Sequence, residues 1–286
     1  VDLGGGNDRA VLESWGRFLG RTDGGDGNDE FILAGIGTRN FIRTLNNRTS
    51  NVFDLRTIDT DGTLSGPQRI TGFETIAKEG SSVWQLVSAE ETIVDHEVDL
   101  FEIREGRLVV SLADFTLGMN VLRDGVLSGS GLLGNVTVSG TLSPGRFDQT
   151  FDGYSTLNVG DLTLDADSVY AVNVRAYTEG EISGVPRSDL IATLGTVTLD
   201  GGELLVLNRY GGDFSSEDPY TYTIIDNLVR GPIIGTFGTI TSELAFLTPT
   251  VNYAGGDGND VVLTLVRNDL AARLCLDSGA TRTCSG

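Results

Sequence analysis

The sequence predicts an all-β protein whose short strands follow one another as the turns of a parallel solenoid. Thirty-nine glycines against six prolines, in 286 residues, point to many tight turns between short strands rather than to helices. From Val136 to Ser139, apolar residues alternate with hydroxyl-bearing ones, which is the period of a strand with one buried face. Gly-Asn-Asp recurs at residues 6–8 and 27–29, and this 21-residue spacing matches one turn of a parallel β-solenoid.

The composition restricts the partners and the setting of the chain. Hydrophobic residues make up 39% of the sequence, which is enough for a continuous core. Forty acidic against 20 basic side chains give a formal charge of −20, which repels the phosphates of nucleic acids, so we expect no nucleic-acid partner. No stretch approaches the roughly 20 apolar residues of a membrane-spanning helix. The chain begins in mid-pattern, and we expect it to be a fragment of a longer protein.

Two glycine-rich nonapeptides raise the question of calcium. GGDGNDEFI at residues 24–32 and GGDGNDVVL at residues 255–263 fit the pattern G-G-x-G-x-D-x-U-x, and so resemble the calcium-binding β-roll of repeats-in-toxin proteins. In that family the copies stand in tandem, whereas these two are far apart. Two interpretations stay open: a Gly/Asn/Asp turn that leads into a strand, with Asp8 stacked over Asp29, or a bound calcium ion. The calcium ligands would come from Asp26, Asp29, Asp257 and Asp260.

Residues 70–87, ITGFETIAKEGSSVWQLV, are predicted to place apolar side chains in the core. Phe73 and Trp84 are the large apolar members of this segment and are expected to point inward. A tryptophan can instead stay exposed as a platform for a sugar ring, which is the alternative for Trp84 and for Trp15. The segment also contains Lys78, the single lysine of the chain.

Residues 91–100, ETIVDHEVDL, alternate between an apolar and an acidic face. His96, the single histidine, falls on the apolar side, where we expect a hydrogen-bonded core residue rather than a catalytic base. Asp95, Glu97 and Asp99 share the other face, with side chains roughly 6–7 Å apart. That spacing permits the paired carboxylates of a glycoside hydrolase, although a solvated strand face explains it as well.

The stretch from Gly129 to Arg146, GSGLLGNVTVSGTLSPGR, organises the rest of the chain. It predicts a short strand between tight turns, because Gly and Pro punctuate both of its ends. After this stretch the alternating segments lengthen, beginning with STLNVGDLTLDADSVYAVNVR, so longer strands are predicted there. The pattern positions of the stretch are Gly129, Gly131, Gly134, Val136, Val138, Gly140, Pro144 and Gly145.

These segments together resemble the C-terminal part of an autotransporter passenger, the exported region of a type V secretion protein. The Gly-Phe-Glu step before Trp84 matches the passenger motif. Residues 129–146 resemble the pattern L-x-G-x-G-x-x-x-G-x-V-x-V-x-G-x-x-x-P-G, with two residues instead of three between Gly131 and Gly134. Seven further landmarks follow in the order that the family shows. They are Tyr170–Val174, Ser188–Leu190 with Asp189 at its centre, Gly201–Gly202, Tyr222–Ile225, Gly235 with Phe237, Tyr253, and the closing strand that ends at Arg267.

The resemblance implies a right-handed parallel β-helix with a C-terminal β-rich capping, or autochaperone, region. Residues 1–145 would form coils of the passenger stalk, residues 146–267 a cap that promotes folding during secretion, and residues 268–286 a tail or the start of a linker. It also implies a Gram-negative protein that is secreted, or held at the cell surface by an outer-membrane β-barrel beyond this segment. The motif residues would then be structural rather than catalytic.

The function that follows from the resemblance is that of a stalk or adhesin, with no enzymatic activity and no required cofactor. Its partner would be a host-surface protein, a glycan or another copy of the chain, because a solenoid offers long flat faces. Two alternatives come from other classes of protein. One is a carbohydrate-active β-helix enzyme, a lyase or hydrolase, and the other is a calcium-dependent binding module.

Cys275 and Cys284 are the two cysteines of the chain, and both lie in its tail. In an exported protein they would form one local disulfide, worth roughly 2–3 kcal/mol on the chain-entropy model. A two-cysteine metal site is the other interpretation, although no histidine ligand lies nearby. The pair is not part of the autotransporter pattern.

Overall fold

The computed structural model describes residues 1–13, 22–34, 51–54, 56–58, 64–67, 70–87, 100–115, 118–145, 154–176, 188–209, 214, 219–229 and 231–268. Within these segments the chain forms strands and turns and no helix. Accordingly, none of the described segments is a helix long and apolar enough to cross a membrane.

The strands are β1 (Arg9–Leu12), β2 (Thr22–Asp23), β3 (Glu30–Leu33), β4 (Asn51–Asp54), β5 (Arg56–Ile58), β6 (Leu64–Pro67), β7 (Ile70–Thr71), β8 (Thr75–Lys78), β9 (Val83–Val87), β10 (Leu100–Phe115), β11 (Met119–Leu133), β12 (Val136–Val138), β13 (Thr141–Pro144), β14 (Thr156–Val159), β15 (Leu162–Leu164), β16 (Val169–Asn173), β17 (Leu190–Thr193), β18 (Val197–Asp200), β19 (Glu203–Leu207), β20 (Tyr220–Asn227), β21 (Ile234–Thr236), β22 (Thr239–Ser242), β23 (Leu247–Gly255) and β24 (Asp260–Arg267).

Twenty of these strands form one large and mostly parallel sheet. Three columns of parallel strands make up its C-terminal half: β12, β15, β18 and β21 in the first, β13, β16, β19 and β22 in the second, and β14, β17 and β20 in the third. All three columns start on β11, which pairs with β12, β13 and β14 along its length. The protein is therefore all-β, and this pairing is compatible with a β-helix.

The N-terminal strands extend the first two columns. β8 and β9 pair with successive halves of β10, β3 pairs with β8, β4 pairs with β9, and β1 pairs with β3. Arg9 lies opposite Glu30, so the 21-residue recurrence of Gly-Asn-Asp corresponds to neighbouring parallel strands. Two small pairings, β2 with β7 and β5 with β6, stand outside the large sheet.

The longest strands lie before Gly145, contrary to the sequence prediction. β10 has 16 residues and β11 has 15, whereas β14 to β19 have three to five. β10 and β11 pass the corners of the sheet without losing their mutual pairing, because register shifts between Ile103 and Glu105 and between Ser111 and Ala113 absorb the bends. Glycine and polar residues at these corners suggested separate short strands. Only β20, β23 and β24, with eight or nine residues, match the prediction of longer strands.

The core repeats from strand to strand because inward-facing residues share one register. In the first column Val136 lies opposite Leu162, which lies opposite Val197, and each is at most 1% exposed. In the third column Leu157 and Ile191 are paired in the same way and fully buried. Burial of each such side chain contributes about 1.5–3 kcal/mol. One continuous apolar core thus runs through the columns.

The last strands close one end of the sheet with antiparallel pairing. β24 pairs antiparallel with β20 and with β23. Beside them, Phe237 lies between Tyr170 and Tyr253, with ring centroids 6.3 and 6.2 Å away. The Tyr170 hydroxyl donates to the carbonyl of Ile224 at 2.7 Å, and the half-buried Tyr253 hydroxyl accepts the Phe237 N–H at 3.0 Å. Parallel pairing runs across residue 145, and the proposed division of the chain there stays a prediction.

Candidate functional site

The first nonapeptide forms a turn that stacks on the turn before it. A Cβ on Gly25 would lie 1.7 Å from the carbonyl oxygen of Gly4, and one on Gly27 would lie 1.8 Å from that of Gly6. The two glycine pairs therefore let successive backbones touch. Gly25 also has φ of +100°, which side-chain-bearing residues rarely adopt.

Asp29 is the buried carboxylate of this turn, and Asp26 is exposed. Asp29 is 1% exposed, and its Oδ1 accepts the backbone N–H of Asp8 at 2.6 Å. The N–H of Asp29 in turn donates to the carboxylate of Glu74, the residue before β8. Asp8, Asp29 and Glu74 thus stand one above the other where β1, β3 and β8 begin, as the sequence predicted for the first two.

The second nonapeptide has a different set of partners. Asp260 is 8% exposed, and its Oδ1 accepts the backbone N–H of Asn227 at 3.0 Å. Asn259 donates through Nδ2 to the carbonyls of Asn227 and Val229, both at 2.7 Å. Asp257 is exposed. Burial, then the charges of Asp260 and Asp257, raise the pKa of the neighbouring Asp226. This turn ties β24 to the end of β20.

The two nonapeptides cannot share one ion. β3 and β24 are separated by seven pairings, through β8, β10, β11, β14, β17 and β20. Within the described residues, no three or more His, Cys, Asp or Glu side chains converge as a metal site. The four predicted ligands are therefore split into two separate turns, with one buried and one exposed aspartate in each.

The predicted core residues around the Gly-Phe-Glu step are buried. Phe73 is fully buried and packs edge-on against Phe31 at 5.5 Å. Trp84 is 3% exposed, and its indole Nε1 donates to the carbonyl of Ala34 at 3.1 Å. A sugar platform needs an exposed ring, so Trp84 does not provide one.

The stretch from Gly129 to Gly145 carries buried valines and crowded glycines. Val136 and Val138 are 1% and 0% exposed, and Pro144 is buried between its neighbours. A Cβ on Gly140 would lie 2.1 Å from the carbonyl oxygen of Leu122. Gly131, inside β11, and Gly134, in the turn before β12, are half-buried. The valines, the proline and the crowded glycines of the stretch therefore pack into the core and its turns.

Gly145 lies against Asp189, a buried acid that the sequence analysis gave only as part of a family motif. Gly145 has φ of +104°, and a Cβ there would lie 2.7 Å from Oδ1 of Asp189. Asp189 is fully buried and accepts three hydrogen bonds: from Nδ2 and N of Asn173, at 2.7 and 3.2 Å, and from N of Ser155 at 3.4 Å. Burial raises the pKa of Asp189 to about 6, and the bonds from Asn173 and Ser155 oppose the rise.

Asp189 should make stability depend on pH near neutrality. Its pKa is higher in the folded state, so its contribution is full below pH 3.8 and is lost as the pH rises through 6. Lowering the pH from 7 to 5 should therefore stabilise the wild type relative to Asp189→Asn by about 1 kcal/mol. Urea unfolding of both proteins at the two pH values measures this difference. Parallel pH dependences would contradict the assignment.

Lys78 is a buried cation that the sequence analysis did not identify. It is fully buried, and its Nζ donates to the carbonyls of Glu79, Gly80 and Glu105, at 2.8, 2.5 and 2.9 Å. Burial lowers its pKa to about 8, against the charges of Glu105 and Glu79. The ammonium thus joins the turn after β8 to the next strand, β10. Lys78 is the single lysine of the chain and stands directly before Glu-Gly, and this is the sequence feature that could have drawn attention to it.

Ion pairs cross the strands beside Lys78. Arg104 contacts Glu30, Glu79 and Glu102, and Arg9 contacts Glu30 at 3.2 Å and Glu79 at 2.8 Å. These side chains are partly exposed, so each pair contributes at most about 1 kcal/mol. The cluster thus links β1, β3, β10 and the turn after β8.

Several predicted residues lie outside the described residues. They are Trp15, Asp95, His96, Glu97, Asp99, Cys275 and Cys284. The predictions made for them stay predictions.

No protein-family model matches the chain, and no curated protein sequence matches it significantly.

Proposed function

We propose that this chain is the C-terminal part of an autotransporter passenger, a right-handed parallel β-helix that serves as a stalk or adhesin. It would be exposed on a Gram-negative surface or released from it. Its C-terminal region would promote folding of the helix during secretion. The protein would act through its surface and would bind a host-surface protein or glycan.

The three columns of parallel strands are the observation that carries the proposal. The chain passes through β12, β13 and β14, then β15, β16 and β17, then β18, β19 and β20, and each strand pairs with its equivalent in the next passage. A parallel β-helix requires such repeated passage, so this pairing supports the proposal. Parallel strands joined by crossovers are right-handed in about 98% of cases, which supports the proposed hand.

An outward-facing row of hydroxyls supports the role as a binding surface. Thr137 lies opposite Asn120 on one side and Thr163 on the other, and Thr163 lies opposite Thr198. Neighbouring strands are about 4.8 Å apart, so these side chains form a regular polar row on the first column. Short hydroxyl and amide groups on a flat face suit hydrogen bonding to a glycan or to an extended protein segment.

The antiparallel end supports the proposed cap. An unpaired strand edge invites pairing with another chain, and β24 covers the edge of β20. The Asp260 and Asn259 bonds and the Tyr170, Phe237 and Tyr253 rings attach this end to the columns. A region closed by these contacts can fold first and present an edge on which the preceding strands assemble.

Refolding kinetics test the role of the cap. Leu263 in β24 and Leu108 in β10 are both fully buried, so Leu263→Ala and Leu108→Ala make the same chemical change in the antiparallel end and in a parallel strand well before it. If the cap folds first, Leu263→Ala slows refolding, whereas Leu108→Ala mainly speeds unfolding. Stopped-flow refolding and unfolding in urea measure both rates. Slower refolding of Leu108→Ala together with faster unfolding of Leu263→Ala would show that the cap does not fold first.

Binding to host surfaces tests the adhesin function. The fluorescently labelled chain is expected to bind host-cell monolayers, and a Thr137→Glu/Thr163→Glu variant to bind about tenfold more weakly, a loss of about 1.4 kcal/mol. Thr141→Glu/Thr239→Glu, on the second column, is the matched control. Binding to monolayers whose surface glycans have been removed enzymatically distinguishes the two kinds of partner: loss of binding indicates a glycan, and unchanged binding indicates a protein. Shortening of surface polysaccharides by the purified chain would assign the enzyme alternative instead.

A further inference from the structure

The antiparallel end of the sheet presents a flat outer face. Along β20, β24 and β23, buried residues alternate with residues that solvent reaches, because side chains of a strand point to opposite sides in turn. The inner side packs on the core through residues such as Leu263 and Val251. We call the outer side the antiparallel face. It comprises the outward residues of 221–223, 248–252 and 262–266.

The antiparallel face carries no charge, although the chain is strongly acidic. Its outward residues are threonine, valine and asparagine, whereas the whole chain has a formal charge of −20. Asp226 lies near the end of β20, beyond the residues that pair with β24. Arg267 ends β24 on the inner side, where it donates to the carbonyl of Phe214 at 3.0 Å. Two copies of the chain can therefore meet through this face with little repulsion between the touching surfaces.

The hydroxyl row on the first column lacks this property. Asp161 and Asp165 lie two residues before and two residues after Thr163, and Asp200 lies two residues after Thr198. The three acids therefore share the outer side of that column with the hydroxyl row. Two copies that met through this side would bring like charges together, which disfavours the contact.

The residues of the antiparallel face are suited to packing against a second sheet. Thr264 lies at its centre, opposite Thr221 on one side and Thr250 on the other. Val266 is 40% exposed, and Phe246, just before β23, is 47% exposed. Threonine and valine are β-branched and stiff, so they lose little side-chain freedom when a partner covers them. Two flat sheets of this kind pack face to face at about 10 Å.

We propose that the antiparallel face binds the same face of a second copy of this chain, across a two-fold axis near Thr264. Such a contact is isologous, so the two Thr264 residues lie close to each other. Three strands of eight or nine residues, about 4.8 Å apart, give a contact of about 350 Å² on each copy. Stable interfaces bury about 800 Å² per partner, so this dimer is weak and reversible. The contact uses no residue of the hydroxyl row and does not depend on what that row binds.

Sedimentation equilibrium of the full chain tests this dimer. The wild type should form dimers at high protein concentration. Raising sodium chloride from about 0.05 to about 0.5 M should strengthen the dimer several-fold, because salt screens the repulsion between two chains of charge −20. Thr264→Glu and Thr264→Lys, each alone, should raise the Kd of the dimer at least tenfold, because two like charges then face each other across the axis.

A one-to-one mixture of Thr264→Glu and Thr264→Lys should recover the wild-type affinity, because opposite charges then meet. Thr141→Glu is the matched control, since Thr141 is a half-exposed outward threonine of the second column, and it should leave the dimer unchanged. A wild type that stays monomeric at every concentration and salt would overturn the proposal and leave the face to a partner of another kind. An unchanged Kd in Thr264→Glu, or a mixture that stays monomeric while the wild type dimerises, would overturn it as well.

Discussion

Val136→Asp is expected to unfold the chain or to lower its free energy of unfolding by about 4 kcal/mol or more. Val136 is 1% exposed and lies between Met119 and Leu162 in the register of the first column. A carboxylate placed there would have apolar neighbours on both sides. Urea unfolding should show a lower midpoint than that of the wild type.

Thr137→Asp provides the matched control for this prediction. Thr137 is the next residue of the same strand, but its side chain points outward and is exposed. The same new charge should there change stability by roughly 0.5 kcal/mol or less. Equal effects at residues 136 and 137 would mean that the alternation of β12 does not set its buried face.

Gly140→Val is the second substitution with a large expected effect, a loss of about 3 kcal/mol. A Cβ at Gly140 would lie 2.1 Å from the carbonyl oxygen of Leu122 and 2.4 Å from that of Gly125. Both atoms belong to the backbone of β11, which is held by pairing with β10 along its length. β11 cannot move away without breaking those bonds. The clash must therefore be relieved by moving the segment between β12 and β13 away from β11.

Gly118→Val separates this clash from the general effect of adding a side chain to a glycine. A Cβ at Gly118 would lie 3.6 Å from the carbonyl oxygen of Asn135, an ordinary contact, and Gly118 has no positive φ. Chemical unfolding of both variants should place Gly118→Val within about 1 kcal/mol of the wild type. A similar loss in both would show that glycine is needed for chain flexibility and not for close approach.

Equal sequence motifs have unequal roles in this protein. Gly-Gly-Asp-Gly-Asn-Asp occurs at both ends, yet Asp29 binds the backbone of Asp8 in a parallel stack, and Asp260 binds Asn227 across an antiparallel end. Local sequence fixes the glycine turn and buries its final aspartate. The partner of that aspartate depends on which strand lies beside the turn. Calcium therefore has to be considered separately for each copy.

The sequence by itself determined the all-β class and much of the core. Alternation around Val136 predicted its buried face, because side chains of a strand point to opposite sides in turn. The 21-residue recurrence predicted the stacking of Asp8 on Asp29, because residues in equivalent turns of parallel strands share a register. Strand lengths were predicted less well, since glycine at a corner of β10 or β11 can bend a strand without ending it.

Only the tertiary structure decided which polar groups are buried together. The Lys78 ammonium donates to the carbonyl of Glu105, 27 residues away. The Asp189 carboxylate accepts hydrogen bonds from Asn173 and Ser155, 16 and 34 residues away. No local pattern encodes these pairings, because neighbouring strands come from different passages of the chain with loops of unequal length between them. Alternation tells which side chains face inward, and the register between strands decides what each of them meets.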